Sequence, residues 1–312
     1  MNLTNKGKAD SIRKKVTQET MGSLELEIAQ AFQTDLDTLH RMNLQSNYEL
    51  DLELLEDEID QLRNKDNLHG TWDNSLMTFS PSAASKCERE LAFKEFGVPQ
   101  DEVVFEPYQK RWVRNGSAVH RAFQRDLAYL ERQDFSRFKV VRTEAGKYAW
   151  ERNVRKVKQF VHNGVEFQIY GMTDGFLHYK PRDLTIGVDL KTKSTTIAAV
   201  GDYKLKFPQD SNVQQMVAYS LLFGVDHFVI PYESLAKDSW NKGKEARPDM
   251  KVFCITVTDE QRKTLLDKFA RVADHYYHGY VPKPDFSKCL FCPFKSFCEA
   301  YEKELNANGN QL

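Results

Sequence analysis

Apolar residues in the first third of the chain recur at helical spacing. Leu24, Ile28, Phe32, Leu36 and Leu39 fall on one helix face, and Leu50, Leu54, Leu55, Ile59 and Leu62 form a second set. Gln45-Ser46-Asn47 interrupts the two, so residues 8 to about 66 are expected to form a helical hairpin. Asn67 to Asp73 is polar and contains Gly70, which places a boundary near residue 70. Ser80-Pro81 then reads as an N-cap followed by proline at the first helical position. Asn115 to Gln133 is a further predicted helix, with Val119, Phe123, Leu127 and Leu130 inward and His120 beside that stripe.

The pattern changes to strands from Lys139 to Ser194, where Asn163-Gly164 marks a tight hairpin. A helix over Ser211–Phe223 follows, then buried strands at Phe228–Ile230 and Val252–Val257, separated by a polar loop. A last helix from Thr258 to Tyr277 is capped by Thr258 or Asp259. This order predicts an α/β architecture.

Within the strand region, Asp174 precedes one segment and Asp189 and Lys191 end the next, with Pro181-Arg182-Asp183 between them as a turn. A two-residue turn at Pro181-Arg182 makes residues whose numbers sum to 363 face each other. Asp174 and Asp189 then oppose one another, with Cβ atoms roughly 5 Å apart. Lys191, two residues on, projects from the same sheet face as Asp189. Like charges this close repel unless a cation lies between them, and the set suits a Mg²⁺ site for phosphodiester hydrolysis. Ordinary turn acids are the plain alternative. The apolar neighbours Ile169, Phe176, Ile186 and Val188 argue against it, because an unpaired carboxylate is costly in such surroundings.

Composition changes the picture only locally. Hydrophobic residues make up 41% of the 312, enough for a core, and no apolar run approaches a membrane span. The N-terminus lacks the apolar stretch of a secretory signal, so a cytoplasmic protein is expected. The formal net charge of −1 conceals an acidic arm: Met21 to Asp66 carries 12 acidic and 3 basic residues. The arm is read as a helical extension packed on the main domain, or as a docking element for a partner protein. No nucleotide-binding P-loop is present, so the chain is not itself an ATP-driven motor.

Three of the five cysteines form C-x₂-C-x₅-C at Cys289, Cys292 and Cys298, and Cys87 lies about two hundred residues earlier. In a reducing compartment such a set is more often metal-binding than disulfide-bonded. A Cys₄ zinc site and an iron–sulfur cluster both remain open on spacing. Either would tie the two ends of one domain together. Cys254, within a strand, reads as a small buried hydrophobe.

Taken together, these residues resemble the RecB nuclease family of PD-(D/E)xK nucleases. They are most similar to its iron–sulfur branch, which includes the AddB nuclease domain and CRISPR-associated RecB-like exonucleases. The resemblance covers roughly Ser80 to Tyr301. Gly116-x-x-x-His120, Gly171-x-x-Asp174, Asp189-x-Lys191 and Gln215-x-x-x-Tyr219 match its motifs in order, and Cys87 with the C-x₂-C-x₅-C tail matches its cluster pattern.

The resemblance implies a restriction-endonuclease-like core, a mixed central sheet flanked by helices, over 71–312; the acidic helical extension over 1–70, read from spacing and charge, has no counterpart in it. It implies Mg²⁺ or Mn²⁺ held by His120, Asp174 and Asp189, and catalysis assisted by Lys191. Gln215 and Tyr219 are implied to contact phosphate or orient the lysine. A 4Fe–4S cluster on Cys87, Cys289, Cys292 and Cys298 is implied, with zinc as the alternative. The expected substrate is DNA, as single strands or ends, in recombination, repair or phage DNA processing, with a helicase or recombination protein as partner through the arm. The competing expectation is a nuclease-fold DNA-binding or assembly subunit with little activity of its own. Arg111, Arg114, Lys193 and Lys204 are candidate phosphate contacts.

Overall fold

The computed structural model describes residues 22–44, 46–64 and 67–309, so the expected helical stretch over 8–21 lies outside the described residues. Two helices open it, α1 (Ser23–Arg41) and α2 (Tyr48–Arg63). Asn47 caps α2 by accepting from the Leu50 amide, which explains the break between the two apolar sets. The stripe on α1 is buried through Ile28, Phe32, Leu36 and Leu39. On α2 only Leu50 of the apolar set is fully buried, while Leu55, Ile59 and Leu62 face solvent.

After a short strand β1 (Thr78–Phe79), the chain makes a 3-10 turn over Pro81–Ser85 where Ser80-Pro81 predicts a longer helix. The turn ends because Lys86 is extended, and Cys87 then starts α3 (Glu88–Glu95) as its N-cap. The long helix α4 (Pro107–Leu130) begins eight residues before the predicted Asn115. Pro107 and a capping box between Glu106 and Gln109 secure that start.

Among the described residues, nine strands form two sheets. β3 (Lys156–His162) and β4 (Val165–Gly171) make the predicted hairpin at Asn163-Gly164, and β1 joins β4 in parallel. Both turn residues have positive φ, as this turn requires. The larger sheet contains β2 (Phe138–Val140), β5 (Gly175–Tyr179), β6 (Leu184–Val188), β7 (Lys191–Lys193), β8 (His227–Ser234) and β9 (Met250–Thr256). β5 and β6 are antiparallel, while β6 and β7 both run parallel to β8, so the sheet is mixed.

Helices cover both faces of the larger sheet. Val229 and Cys254 pack toward α1 and α4. Phe228, Ile230, Tyr232 and Phe253 pack toward α5 (Asp210–Phe223) and α6 (Asp259–Tyr277). The predicted cap of α6 forms at Thr258, as a capping box with Gln261. A final helix, α7 (Lys295–Gly309), returns to pack on α3 through Phe93, which meets Phe294, Phe297 and Tyr301 edge-on. The α1 helix is therefore more than a solvated extension, since its buried face completes one of the two cores. No helix among the described residues is long and apolar enough to cross a membrane.

Candidate active site and cysteine cavity

The β5–β6 ladder has the predicted register: Gly175 faces Val188, and every pair through Tyr179–Leu184 sums to 363. The turn differs. Lys180 to Asp183 forms a four-residue connection, a 3-10 turn closed by Asp183 in the left-handed region, rather than a two-residue turn. Symmetric lengthening about Pro181-Arg182 leaves the register unchanged. Asp174 and Asp189 are the next opposed positions beyond the last ladder pair.

The strand carrying Asp189 breaks there for a backbone reason. β6 and β7 both pair with β8 at a constant offset, so Leu190 would fall opposite Pro231. Proline has no amide hydrogen, and the ladder cannot continue through it. The missing donor is the one the Asp189 carbonyl would accept from; on the opposite edge, the Leu190 amide donates to Asp174 Oδ2 at 2.8 Å. Asp189 stays tied to the sheet through its amide and the Val229 carbonyl, at 3.1 Å. Glycines from the motifs permit close approach nearby. A Cβ on Gly171 would fall 2.7 Å from the Pro81 ring, and one on Gly116 would fall 3.3 Å from Thr192 Oγ1, drawing α4 against β7.

The side chains form a connected row. His120 Nδ1 lies 3.3 Å from Asp174 Oδ2. Asp189 is 2% exposed, and Lys191 Nζ sits 2.5 Å from its Oδ2. Oδ2 is buried, and the Lys191 ammonium is its ion-pair partner among the described residues. Lys191 Nζ donates to Gln215 Oε1 at 2.9 Å, and Gln215 Nε2 in turn donates to Tyr219 OH at 2.9 Å. Gln215 and Tyr219, one helical turn apart on α5, thus reach the lysine as a chain.

Electrostatics follow from this crowding. Burial, then the Asp174 charge, push the Asp189 carboxyl up to about 7 against the pull of Lys191. The hydrogen bond to Asp174 raises the His120 pKa against the opposing effect of burial. Burial raises the Tyr219 phenol well above its ordinary value.

Glu151 belongs to this neighbourhood and is not singled out by the sequence. It has φ +48°, a region costly for a non-glycine residue, and its amide donates to the Thr173 carbonyl beside Asp174. Gln124, one turn past His120 on α4, reaches both the Glu151 carboxylate (3.5 Å) and the Asp174 carbonyl (3.3 Å). Burial and the Asp174 charge raise the Glu151 pKa. A cavity of about 400 Å³ opens here, lined by Gly116, Ser117, His120, Arg121, Gln124 and Glu151. The sequence offers only an isolated acid in Trp150-Glu151-Arg152, which no spacing rule marks.

The four cysteines Cys87, Cys289, Cys292 and Cys298 line a single small cavity of about 20 Å³, although two hundred residues separate the first from the rest. All are free thiols. The Asp285 amide points at Cys87 Sγ (3.3 Å), and buried Arg89 lies 3.5 Å from Cys298 Sγ. Arg89 also donates to the Pro282 carbonyl at 2.6 Å and to Glu302 at 2.5 Å. Cys254 is buried in β9, as a small core residue. Among the described residues no group of three or more His, Cys, Asp or Glu stands close enough together to hold a metal ion. The residue types nonetheless fit: four thiols gather at one place, and two carboxylates with a histidine at the other. A much larger cavity, about 1040 Å³ between the 81–85 turn, α5 and α6, contains none of the row from His120 to Tyr219.

The family model of the PD-(D/E)XK nuclease superfamily matches residues 80–299. No curated protein matches the chain. Among solved structures, one titled "Crystal structure of SSO0001" is 14% identical, covers 81% of this chain and 97% of its own, and has a TM-score of 0.43. The alkaline exonuclease LHK-Exo from Laribacter hongkongensis is 10% identical, covers 65% of this chain and 91% of its own, and has a TM-score of 0.37.

Proposed function

Since the chain belongs to the PD-(D/E)XK nuclease superfamily, we propose that it is a metal-dependent deoxyribonuclease acting on single strands or DNA ends in recombination, repair or phage DNA processing. The observation that carries this reading is Asp189: a carboxylate on a residue 2% exposed, set opposite Asp174 and its partner His120, with the Lys191 ammonium 2.5 Å from its Oδ2. Asp174, Asp189 and His120 would hold Mg²⁺ or Mn²⁺. When bound, the cation supplies an activated water and neutralises charge growing on the scissile phosphate.

Each protein group then has a defined task. Lys191, gripped by Asp189 and Gln215, keeps its ammonium at the metal side and is placed to donate to a phosphate oxygen or to orient the water. Gln215 and Tyr219 act as positioning residues, because their contacts run to the lysine. In this reading residues 71–312 are the nuclease domain and 1–70 an acidic extension. The exposed Leu55, Ile59 and Leu62 on α2 support its use as a docking face for a helicase or recombination protein. Cys87, Cys289, Cys292 and Cys298 would hold an iron–sulfur cluster, with zinc as the alternative, stapling α3 to the C-terminal segment.

The test is Asp189→Ala. Mg²⁺-dependent DNA cleavage should vanish while the far-ultraviolet circular dichroism spectrum is unchanged. Undiminished cleavage by the purified variant would remove the site assignment. A wild-type protein that binds DNA but cuts none with any divalent metal would favour the non-cleaving assembly subunit.

A further inference from the structure

The first half of α4 stands free of the body. Every residue from Pro107 to Asn115 is exposed except the half-buried Gln109. A helix segment without a packed face is normally polar all round. This one is not: Phe105 just before it and Tyr108 and Trp112 on it are 50%, 52% and 42% exposed, and Val113 adds to them. Tyr108 and Trp112 meet edge-on at 5.1 Å, which keeps both rings standing out from the helix. Isolated apolar side chains on a surface need no explanation, but a run of aromatic residues on an unpacked helix marks a binding site.

Charge identifies the occupant. Residues 105–115 contain Lys110, Arg111 and Arg114 against one acid, Glu106, whose carboxylate is engaged in capping the helix. Farther along the helix, Arg121 and Arg125 are paired with Glu58 and Asp51 of α2. Lys110 and Arg111 make no ion pair among the described residues; Lys110 lies over the Phe105 ring at 5.7 Å, and Arg114 reaches only the Asn115 side chain. Exposed rings interleaved with unpaired cations are the equipment for a flexible polyanion whose bases are free to stack. A duplex hides its base faces, so the rings would have nothing to stack on.

The helix also points the ledge at the chemistry. Trp112 precedes His120 by eight residues, about 12 Å along the axis at ~1.5 Å per residue. Between them, Gly116 lies against Thr192 of the strand that carries Lys191. We propose that Phe105, Tyr108 and Trp112, with Lys110, Arg111 and Arg114, form a stacking ledge that holds single-stranded DNA as it enters the site. This rests on the nuclease reading for its direction, though not for its chemistry.

Binding is measured with fluorescein-labelled oligothymidylate in metal-free buffer, where no hydrolysis consumes the probe. Tyr108→Ala with Trp112→Ala should weaken binding about tenfold or more and leave the salt slope unchanged. Lys110→Ala with Arg111→Ala should weaken binding and reduce the slope of log K against log salt by about 0.7 for each phosphate no longer neutralised. Trp112→Phe should retain affinity, and these exposed positions should leave the melting temperature unmoved. Unchanged affinity and slope in both double variants would overturn the ledge. So would an aromatic variant that changes the oligomeric mass in light scattering while binding DNA normally, because the patch would then be a protein interface. Cleavage of a thymidine dinucleotide, too short to reach the ledge, separates the two readings. Ledge variants that lose oligothymidylate but cut the dinucleotide support both. A wild type that binds oligothymidylate through the ledge but cuts nothing leaves the ledge standing and removes the nuclease.

Discussion

Asp189→Asn should stabilise the metal-free protein at alkaline pH while disabling metal binding. Asp189 is almost fully buried, and its carboxyl is raised from 3.8 to about 7, by burial first and the Asp174 charge second. A carboxyl whose folded pKa is raised contributes stability below its unfolded value, near 4. That stability is lost as pH rises through its folded value, near 7. At about 1.4 kcal/mol per pKa unit, carrying the ionised form costs up to ~4 kcal/mol above pH 7. Asparagine keeps the shape without the charge, so the cost disappears. At roughly 2–4 °C per kcal/mol, the metal-free variant should melt up to about 8–16 °C above wild type at pH 8, with the gap closing toward pH 5. Thermal melts in EDTA from pH 5 to 8 measure this directly. His120 and Glu151 are also raised and lose stability in the same direction; both are present in wild type and variant, and the difference between the two curves reports Asp189 together with the part of the His120 shift that the Asp189 charge causes. Mg²⁺ should raise the wild-type melting temperature and not that of Asp189→Asn. A pH-independent gap, or a variant less stable than wild type at pH 8, would refute the argument that this carboxylate is held in an unfavourable state for a cation.

Three further outcomes follow from named contacts. Glu151→Gln should raise the Mg²⁺ concentration for half-maximal cleavage several-fold with little change in KM for DNA, because it removes the charge beside Asp174 and His120; an unchanged metal titration counts against its place in the site. Cys289→Ser, purified without oxygen, should lose iron and visible absorbance that the wild type carries, and melt at lower temperature; a colourless wild type with stoichiometric zinc would replace the cluster by a zinc ion. Arg89→Met should destabilise the chain by about 1–3 kcal/mol, read by urea denaturation, since it strips a buried guanidinium from the Pro282 carbonyl and from the partly exposed Glu302.

Legibility in the chain differs by element. Hairpin register between β5 and β6 follows from alternation about Pro181-Arg182, and it holds although the turn is two residues longer than expected. The apolar stripe on α1 reads as a packed face and is one, but the matching set on α2 packs only through Leu50 and Leu54. Leu55, Ile59 and Leu62 have helical spacing and remain exposed, because periodicity reports a face and says nothing of whether another element covers it. Periodicity also starts α4 too late, since Pro107 and its capping box precede the apolar stripe by a dozen residues. Glu151 escapes every sequence rule. It is brought to His120 by the pairing of its backbone with Thr173, an encounter between loop segments that no local pattern encodes.

Sequence alone determined what depends on neighbours in the chain: strand alternation, the caps at Asn47 and Thr258, and the residue types able to bind metal or phosphate. Tertiary structure decided what depends on distance between remote segments. It gathered Cys87 with Cys289, Cys292 and Cys298 around one cavity, and it buried Asp189 with Lys191 against its Oδ2. It also left the first half of α4 uncovered. The physical reason is that burial and electrostatic strain are properties of surroundings, and those surroundings form only when Pro231 breaks the ladder, α4 closes on β7 through Gly116, and the C-terminal helix returns to α3.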